Sequence, residues 1–343
     1  MGKSKLESTR EYKYLGFIVT PSGEIGTGLK DLKNRALRAL AKLKNKMGIQ
    51  FRKFPLITLK LFRSLIEPIL LYLSDFWGIL KMPTNNPIEN LFSSFCKQLL
   101  GVQKTTSNIG TLLELGQTPL MFLAQKNAIK NWIRISTNTK CNNLVISSYN
   151  TSVLETLSWP SNIESKLSGI GLRESYLSRD KDSHLKAVQR LVDMFHQESF
   201  ADIRRDDSKL RTYGLLKREP GYEFYLSNIQ SIKERTALTK FRISNHVLQI
   251  EKGRHKNVDK RERFCPFCPE VVEDEKHFLL DCKTYRHFRN EFSKDGANLS
   301  HDWKSDTTRF ISLVNNSPIS TSIFLRKSFE VRQYLLQKYK SYD

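Results

Sequence analysis

Phe264-Cys265-Pro266-Phe267-Cys268 and, shortly after, Glu273-Asp274-Glu275-Lys276-His277-Phe278-Leu279-Leu280-Asp281-Cys282 are the stretch from which the rest of the chain is best read. Two thiols separated by two residues can reach one metal from a single tight turn. After eight intervening residues comes an imidazole, and after four more a third thiol. Zinc takes four soft or borderline donors at the corners of a tetrahedron. The expected ligands are therefore Cys265, Cys268, His277 and Cys282, with a short helix starting near His277 and a bend near Cys282. Phe264, Phe267, Phe278, Leu279 and Leu280 are placed to shield the ion. The segment is too short to bury enough apolar area by itself, so the binding energy of Zn2+ is its folding energy. Four protein ligands close the shell and leave no water position, which makes the ion structural. A redox CxxC pair is the competing reading, but no βαβ pattern surrounds it. Glu275 and His287 are the residues most easily mistaken for ligands.

Working upstream, Ile232–Arg263 carries ten Lys and Arg against four acids. An amphipathic helix over 232–247 is followed by a basic loop, Gly253–Glu262, that delivers the chain to the cysteines. Arg254, Lys256, Lys260, Arg261 and Arg263 are candidate contacts to a polyanion. The same excess runs through all 343 residues, where 56 Lys and Arg face 35 Asp and Glu for a net charge of +21. A surplus of this size repels itself unless a polyanion or counterions screen it, and RNA or DNA is the expected partner.

Near the amino terminus, strand formers at Tyr12, Tyr14, Phe17, Ile18 and Val19 with Pro21-Ser22-Gly23 as turn predict a hairpin over 11–26. A helix over 28–47 follows, with Leu29, Leu32, Ala36, Leu40, Leu43 and Met47 on one face. Lys30, Lys33, Arg35, Arg38 and Lys42 are among its cations. That face is either solvated surface or a phosphate-tracking surface. A largely buried helix over 55–78 should kink or break at Pro68. Helices over 87–101 and 119–136 complete a bundle whose stripes read as core. Residues 137–165 look like a linker or loose edge, and 183–197 like one more amphipathic helix. After the cysteines, helices are expected over 285–292, 302–314 and 322–339. The fold class is mainly α: a short hairpin, a thumb-like helical bundle and a helical carboxy-terminal region with a small zinc-binding module. The expected divisions are 1–26, 27–136, 137–230 and 231–343.

Several classes fall away. Five cysteines, with Cys96 and Cys141 isolated, are not a secreted disulfide framework, and a reducing compartment, nuclear or cytoplasmic, follows. Met1–Arg10 is polar and charged, and the apolar run Leu65–Leu80 contains Glu67, Pro68 and Asp75, so no membrane span is expected. There is no P-loop, G-x-S-x-G or H-E-x-x-H. Asp206-Asp207 reads as a solvated loop rather than a Mg2+ site.

Two stretches, in order, resemble the carboxy-terminal part of LINE-type (non-LTR) retrotransposon reverse transcriptases. One is Tyr12-Lys13-Tyr14-Leu15-Gly16-Phe17, the basic helix, and then Ile66-Glu67-Pro68-Ile69-Leu70-Leu71-Tyr72 with Trp77-Gly78. The other is Leu238-Thr239-Lys240-Phe241-Arg242 followed by the Cys-His segment and Tyr285. The resemblance implies that Tyr14, Leu15 and Gly16 lie near a primer terminus at the end of a palm. It implies a thumb helix over 28–47, and a zinc segment that grips template RNA or target DNA. Phe264 or Phe267 would either shield the metal or stack on an unpaired base. The family's aromatic-x-Asp-Asp turn lies upstream of the K-Y-L-G strand, and here the eleven residues before Tyr12 contain no Asp. Phosphoryl transfer needs carboxylates for Mg2+, so Mg2+ belongs to an intact parent polymerase. The chain is expected to have no catalytic residues, to bind nucleic acid without polymerising, and to be a truncated element or partial gene that can pair with upstream polymerase domains. Leu73-Ser74 also departs from the glycine common after the family's tyrosine. The alternative is a zinc-stapled helical module that binds another protein.

Overall fold

The computed structural model describes residues 9–137, 142–156, 158–294 and 305–340. Helices dominate it, with one two-stranded hairpin near the amino terminus and a second at the cysteines. The chain divides into two units. One comprises Met1–Gly48, Ile57–Ser94 and Thr118–Glu198, the other Ile49–Leu56, Phe95–Gln117 and Ser199–Asp343. Among the described residues, no helix is long and apolar enough to cross a membrane.

In the first unit, β1 (Tyr12–Tyr14) pairs antiparallel with β2 (Phe17–Val19). The reversal falls at Leu15-Gly16 and not at Pro21-Ser22-Gly23, which corrects the turn position expected from sequence. Both central residues have positive φ, 46° and 84°, the twist that a two-residue hairpin needs. Glycine takes the second of these positions at no steric cost. Phe17 is buried against the first long helix, Gly26–Met47. A Cβ at Gly28 would lie 2.3 Å from the Phe17 ring, so only glycine lets the hairpin sit so close. The helix buries Leu29, Leu32, Ala36 and Leu40, as their spacing requires.

The apolar stretch after Pro55 does break near Pro68, into helices Pro55–Leu65, Glu67–Leu70 and Ser74–Trp77. Leu73, with φ of 54°, turns the chain between the last two. Gly78 then lets the backbone approach Met121–Thr137, since a Cβ there would lie 2.2 Å from the Ala124 carbonyl. Residues 137–165 are not a loose linker where they are described. Helices run over Asn143–Val153 and Trp159–Gly169. Ile163, Leu167 and Ile170, at helical spacing, join Ile129, Trp132, Ile133, Ala187 and Leu191 in one core. The short period of that stripe was masked by the surrounding Asn, Ser and Thr. Ser183–Arg204 extends two turns past its expected end.

In the second unit, helix Ile232–Arg242 packs along the carboxy-terminal helix Pro318–Lys340. Arg242 ends its helix in the interior, with Glu114 at 2.7 Å and Glu223 at 2.9 Å. Burial alone would lower its guanidinium, and these two carboxylates more than reverse that. The helix expected over 232–247 stops at Arg242 because Ser244 adopts φ of 53°. A helix, Gln249–His255, replaces the first part of the expected basic loop.

A pH-dependent element lies in the first unit. The Glu89 carboxylate accepts the Met121 backbone N–H at 2.6 Å. Burial outweighs the backbone donors Met121 and Leu120 and raises its pKa from 4.5 to about 7. A folded-state pKa above the unfolded one stabilises at low pH and loses that contribution as pH rises through about 7. Glu89→Gln should therefore remove one step from the pH profile of unfolding free energy, between about 4.5 and 7. Urea unfolding followed by tryptophan fluorescence at several pH values checks this, and parallel profiles for the two proteins would contradict it.

Candidate metal centre

The cluster is assembled from two local structures. Cys265 ends β3 (Phe264–Cys265) and Cys268 begins β4 (Cys268–Val272). They face each other across the Pro266-Phe267 turn. His277 and Cys282 bracket a π-helical turn, His277–Asp281, closed by Cys282 N–H donating to His277 O at 2.8 Å. In a regular α-helix, residues five apart point about 140° away from each other. The wider turn reduces that divergence, so both side chains serve one point. Asp274 sets the start by accepting the His277 N–H at 2.8 Å.

The geometry fits a tetrahedral ion. One donor atom from each of Cys265, Cys268, His277 and Cys282 lies within 4.8 Å of the others. Sγ of Cys282 is 4.0 Å from that of Cys265 and 3.8 Å from that of Cys268. A Zn–S bond of about 2.3 Å implies tetrahedral S–S edges of about 3.8 Å, whereas a disulfide would need about 2.05 Å. All three thiols are free and buried, and His277 is 8% exposed. Its Nε2 is buried with no hydrogen-bond partner, which leaves a ring nitrogen open to a metal ion. The four residues could hold a metal ion such as zinc. The thiol of Cys265 and then the His277 ring hold Cys282 down against burial, while the Cys282 thiolate and burial push Cys265 up. Metal ligands bind as thiolates, so uptake at this site would release protons.

The substitute ligands are accounted for. Glu275 turns away from the cluster and accepts from His246 Nε2 at 3.0 Å and Thr212 Oγ1 at 3.1 Å, with Arg211 at 3.4 Å. Burial would raise its pKa, but the His246 hydrogen bond and the charges of His246 and Arg211 bring it to about 2. The His287 side chain is 80% exposed and pairs with Glu291.

What sequence reasoning missed is how the cluster joins the rest of its unit. Phe278, inside the π turn, stacks on Phe329 of the carboxy-terminal helix with centroids 4.7 Å apart, and packs on Tyr285 at 4.8 Å. Glu273 receives two hydrogen bonds from Arg332, at 2.9 and 2.6 Å, with both side chains buried. The signal was an arginine in the apolar stripe Leu325, Phe329, Arg332, Leu336, opposite an acidic residue before the histidine. Phe267 meets Tyr285 edge-on at 6.3 Å, as a shield would, whereas Phe264 is 43% exposed.

The cations expected to contact a polyanion divide. On the first long helix Lys30, Arg38 and Lys42 are exposed and Lys33 half-buried. Arg35 is instead occupied structurally: it donates to Gly16 O at 2.6 Å, pairs with Asp31 at 2.8 Å and lies over the Tyr72 ring. Tyr72 in turn donates to Leu15 O, so the K-Y-L-G turn and the I-E-P-I-L-L-Y stretch are tied together. Tyr14 and Leu15 are exposed. Near the cluster, Lys256, Lys260 and Arg261 are exposed, while Arg254 pairs with Glu251 at 3.2 Å. Arg263 directs its guanidinium at the Val258 and Ile250 carbonyls and acts as a brace rather than a free contact. Asp207 pairs with Arg205 at the surface at 2.9 Å. No family model, curated protein or solved structure matches the chain.

Cys268→Ser should abolish stoichiometric metal binding, read by titration against a chromophoric chelator. Retention of wild-type stoichiometry would remove Cys268 from the ligand set. Arg332→Met leaves the Glu273 carboxylate buried without its counter-charge, which costs about 3–5 kcal/mol. Denaturant unfolding of the second unit measures this, and a loss below about 1 kcal/mol would mean the pair is dispensable.

Proposed function

We propose that this chain is a nucleic-acid-binding carboxy-terminal part of a LINE-type (non-LTR) retrotransposon reverse transcriptase, folded around one structural zinc ion and assigned no catalytic step of its own. The observation that carries the reading is the convergence of Cys265, Cys268, His277 and Cys282 on a site with zinc-thiolate spacing, directly after a basic stretch. The order of the motifs supports it: a K-Y-L-G hairpin, a cationic helix, then the Cys-His segment. Zinc acts here as a staple, because four protein ligands leave no open coordination position.

On this reading the exposed Lys30, Arg38 and Lys42, eight and then four residues apart on the same helix, track phosphates. Lys256, Lys260 and Arg261 do the same beside the cluster. Each contact releases condensed counterions and reads charge and shape rather than sequence. Mg2+ and its carboxylates belong to polymerase domains of the parent element. The exposed hairpin residues Tyr12, Tyr14 and Leu15 offer such domains an apolar face. The free cysteines suit a reducing compartment, nuclear or cytoplasmic.

Simultaneous Lys33→Glu, Arg38→Glu and Lys42→Glu substitutions should weaken binding to every duplex alike. They should flatten the plot of log affinity against log salt by about one unit per phosphate-contacting cation lost. Fluorescence anisotropy across a salt series tests this. Wild-type affinity and slope in the triple variant would remove the helix from the interface. Binding that ignores salt and follows apolar surface would favour the protein-interaction module instead.

A further inference from the structure

Helices Ile232–Arg242, Gln249–His255 and Pro318–Lys340 line a recess of about 950 Å3 within the second unit. Its charged lining is almost all cationic, set among apolar side chains such as Ile232, Val247, Phe329 and Leu336. Lys233 and Lys240, two turns apart on the first helix, line it together with Arg52, Lys252 and Lys256. Glu330 is the sole carboxylate among the described lining residues, and it is paired with Arg326 at 3.1 Å. Among the described residues, no salt bridge engages Lys233, Lys240 or Lys256. A concentration of unneutralised cations in a concave site raises the local potential and calls for a polyanion.

The remaining wall narrows the choice of polyanion. Gln333 and Gln337, one turn apart, are exposed and line the recess from the carboxy-terminal helix. An amide offers a donor and an acceptor together. A phosphate, all acceptor, uses only half of that, whereas the hydrogen-bonding edge of an unpaired base matches both. Also lining the recess, His246 donates from Nε2 to Glu275, and its Nδ1 is buried with no partner. Lys233 and Lys240 on one helix and the amides of Gln333 and Gln337 on another suit a strand with its backbone and base edges both accessible. A duplex has its Watson–Crick edges already paired and presents mainly phosphates.

Resting on the nucleic-acid reading above, we infer that this recess holds a single-stranded nucleic-acid segment, with its backbone along Lys233, Lys240 and Lys256 and its bases toward Gln333 and Gln337.

The test uses the full chain loaded with zinc and a mixed-sequence 12-nucleotide strand, as RNA and as DNA, beside the corresponding duplex. Lys233→Gln with Lys240→Gln should weaken single-strand binding and reduce its salt slope by about 1.4, at about 0.7 per lost phosphate contact. Gln333→Ala with Gln337→Ala leaves the charge unchanged. It should weaken single-strand binding about tenfold with an unaltered salt slope and leave duplex binding alone. Unchanged metal content shows that each variant is folded. If both pairs bind single strands like the wild type while wild-type duplex binding persists, the recess assignment is overturned and the general function stands. Equal loss of duplex and single-strand binding in the glutamine pair overturns it as well, as does equal displacement of the strand by an acidic peptide. A wild-type chain that binds no nucleic acid overturns both readings.

Discussion

Cys265, Cys268, His277 and Cys282 bring three sulfurs and one nitrogen within 4.8 Å of one another, a cluster that could hold a metal ion such as zinc, and the second unit is arranged outward from that point. The knuckle at Pro266-Phe267 supplies two donors and the π turn supplies the others. The same π turn projects Phe278 into a set of rings from Phe241, Phe310, Phe324, Phe329 and Tyr285. Organising the ligands therefore also organises an aromatic core, and that core holds the carboxy-terminal helix. Glu273 and Arg332 add a directional tie, since an ion pair inside low-dielectric surroundings is costly to leave half-made.

This coupling gives the basic surfaces a fixed frame. Cations without a frame bind polyphosphate weakly and pay the ordering entropy each time. Here Lys240 sits on the helix whose Phe241 enters the aromatic core, and Lys252 and Lys256 belong to the helical segment that Glu273 secures by accepting the Gln249 N–H. Charge is then presented from elements packed against the segment that carries the Cys-His cluster.

Much of this was legible in the sequence. The four residues of the Cys-His cluster could be read because thiol and imidazole spacing is chemically restrictive. The stripe Leu29, Leu32, Ala36, Leu40 and the break near Pro68 follow from helix period and the missing proline donor. Other features were not legible because they depend on distant partners. Nothing local distinguishes Arg35 or Arg263, bonded to carbonyls, from Lys42, which faces water. Glu275 resembles a ligand until His246 and Arg211 arrive from elsewhere in the chain. The hairpin turn was misplaced because a leucine gives no local signal for the positive φ it adopts, and the bonds from Arg35 and Tyr72 to the carbonyls of Gly16 and Leu15 come from distant residues. Helix Trp159–Gly169 was overlooked because its stripe is short and its packing partner, Trp132, lies in another helix.

A metal ion held by Cys265, Cys268, His277 and Cys282 would order the segment from which the second unit is built. Hydrogen exchange across residues 264–285, measured on the purified chain with its zinc content determined and again after chelation, addresses that claim most directly. One zinc per chain and a loss of protection that spreads from the π turn into the carboxy-terminal helix is the predicted result. A chain that carries no metal, or protection unchanged once the metal is removed, would contradict it.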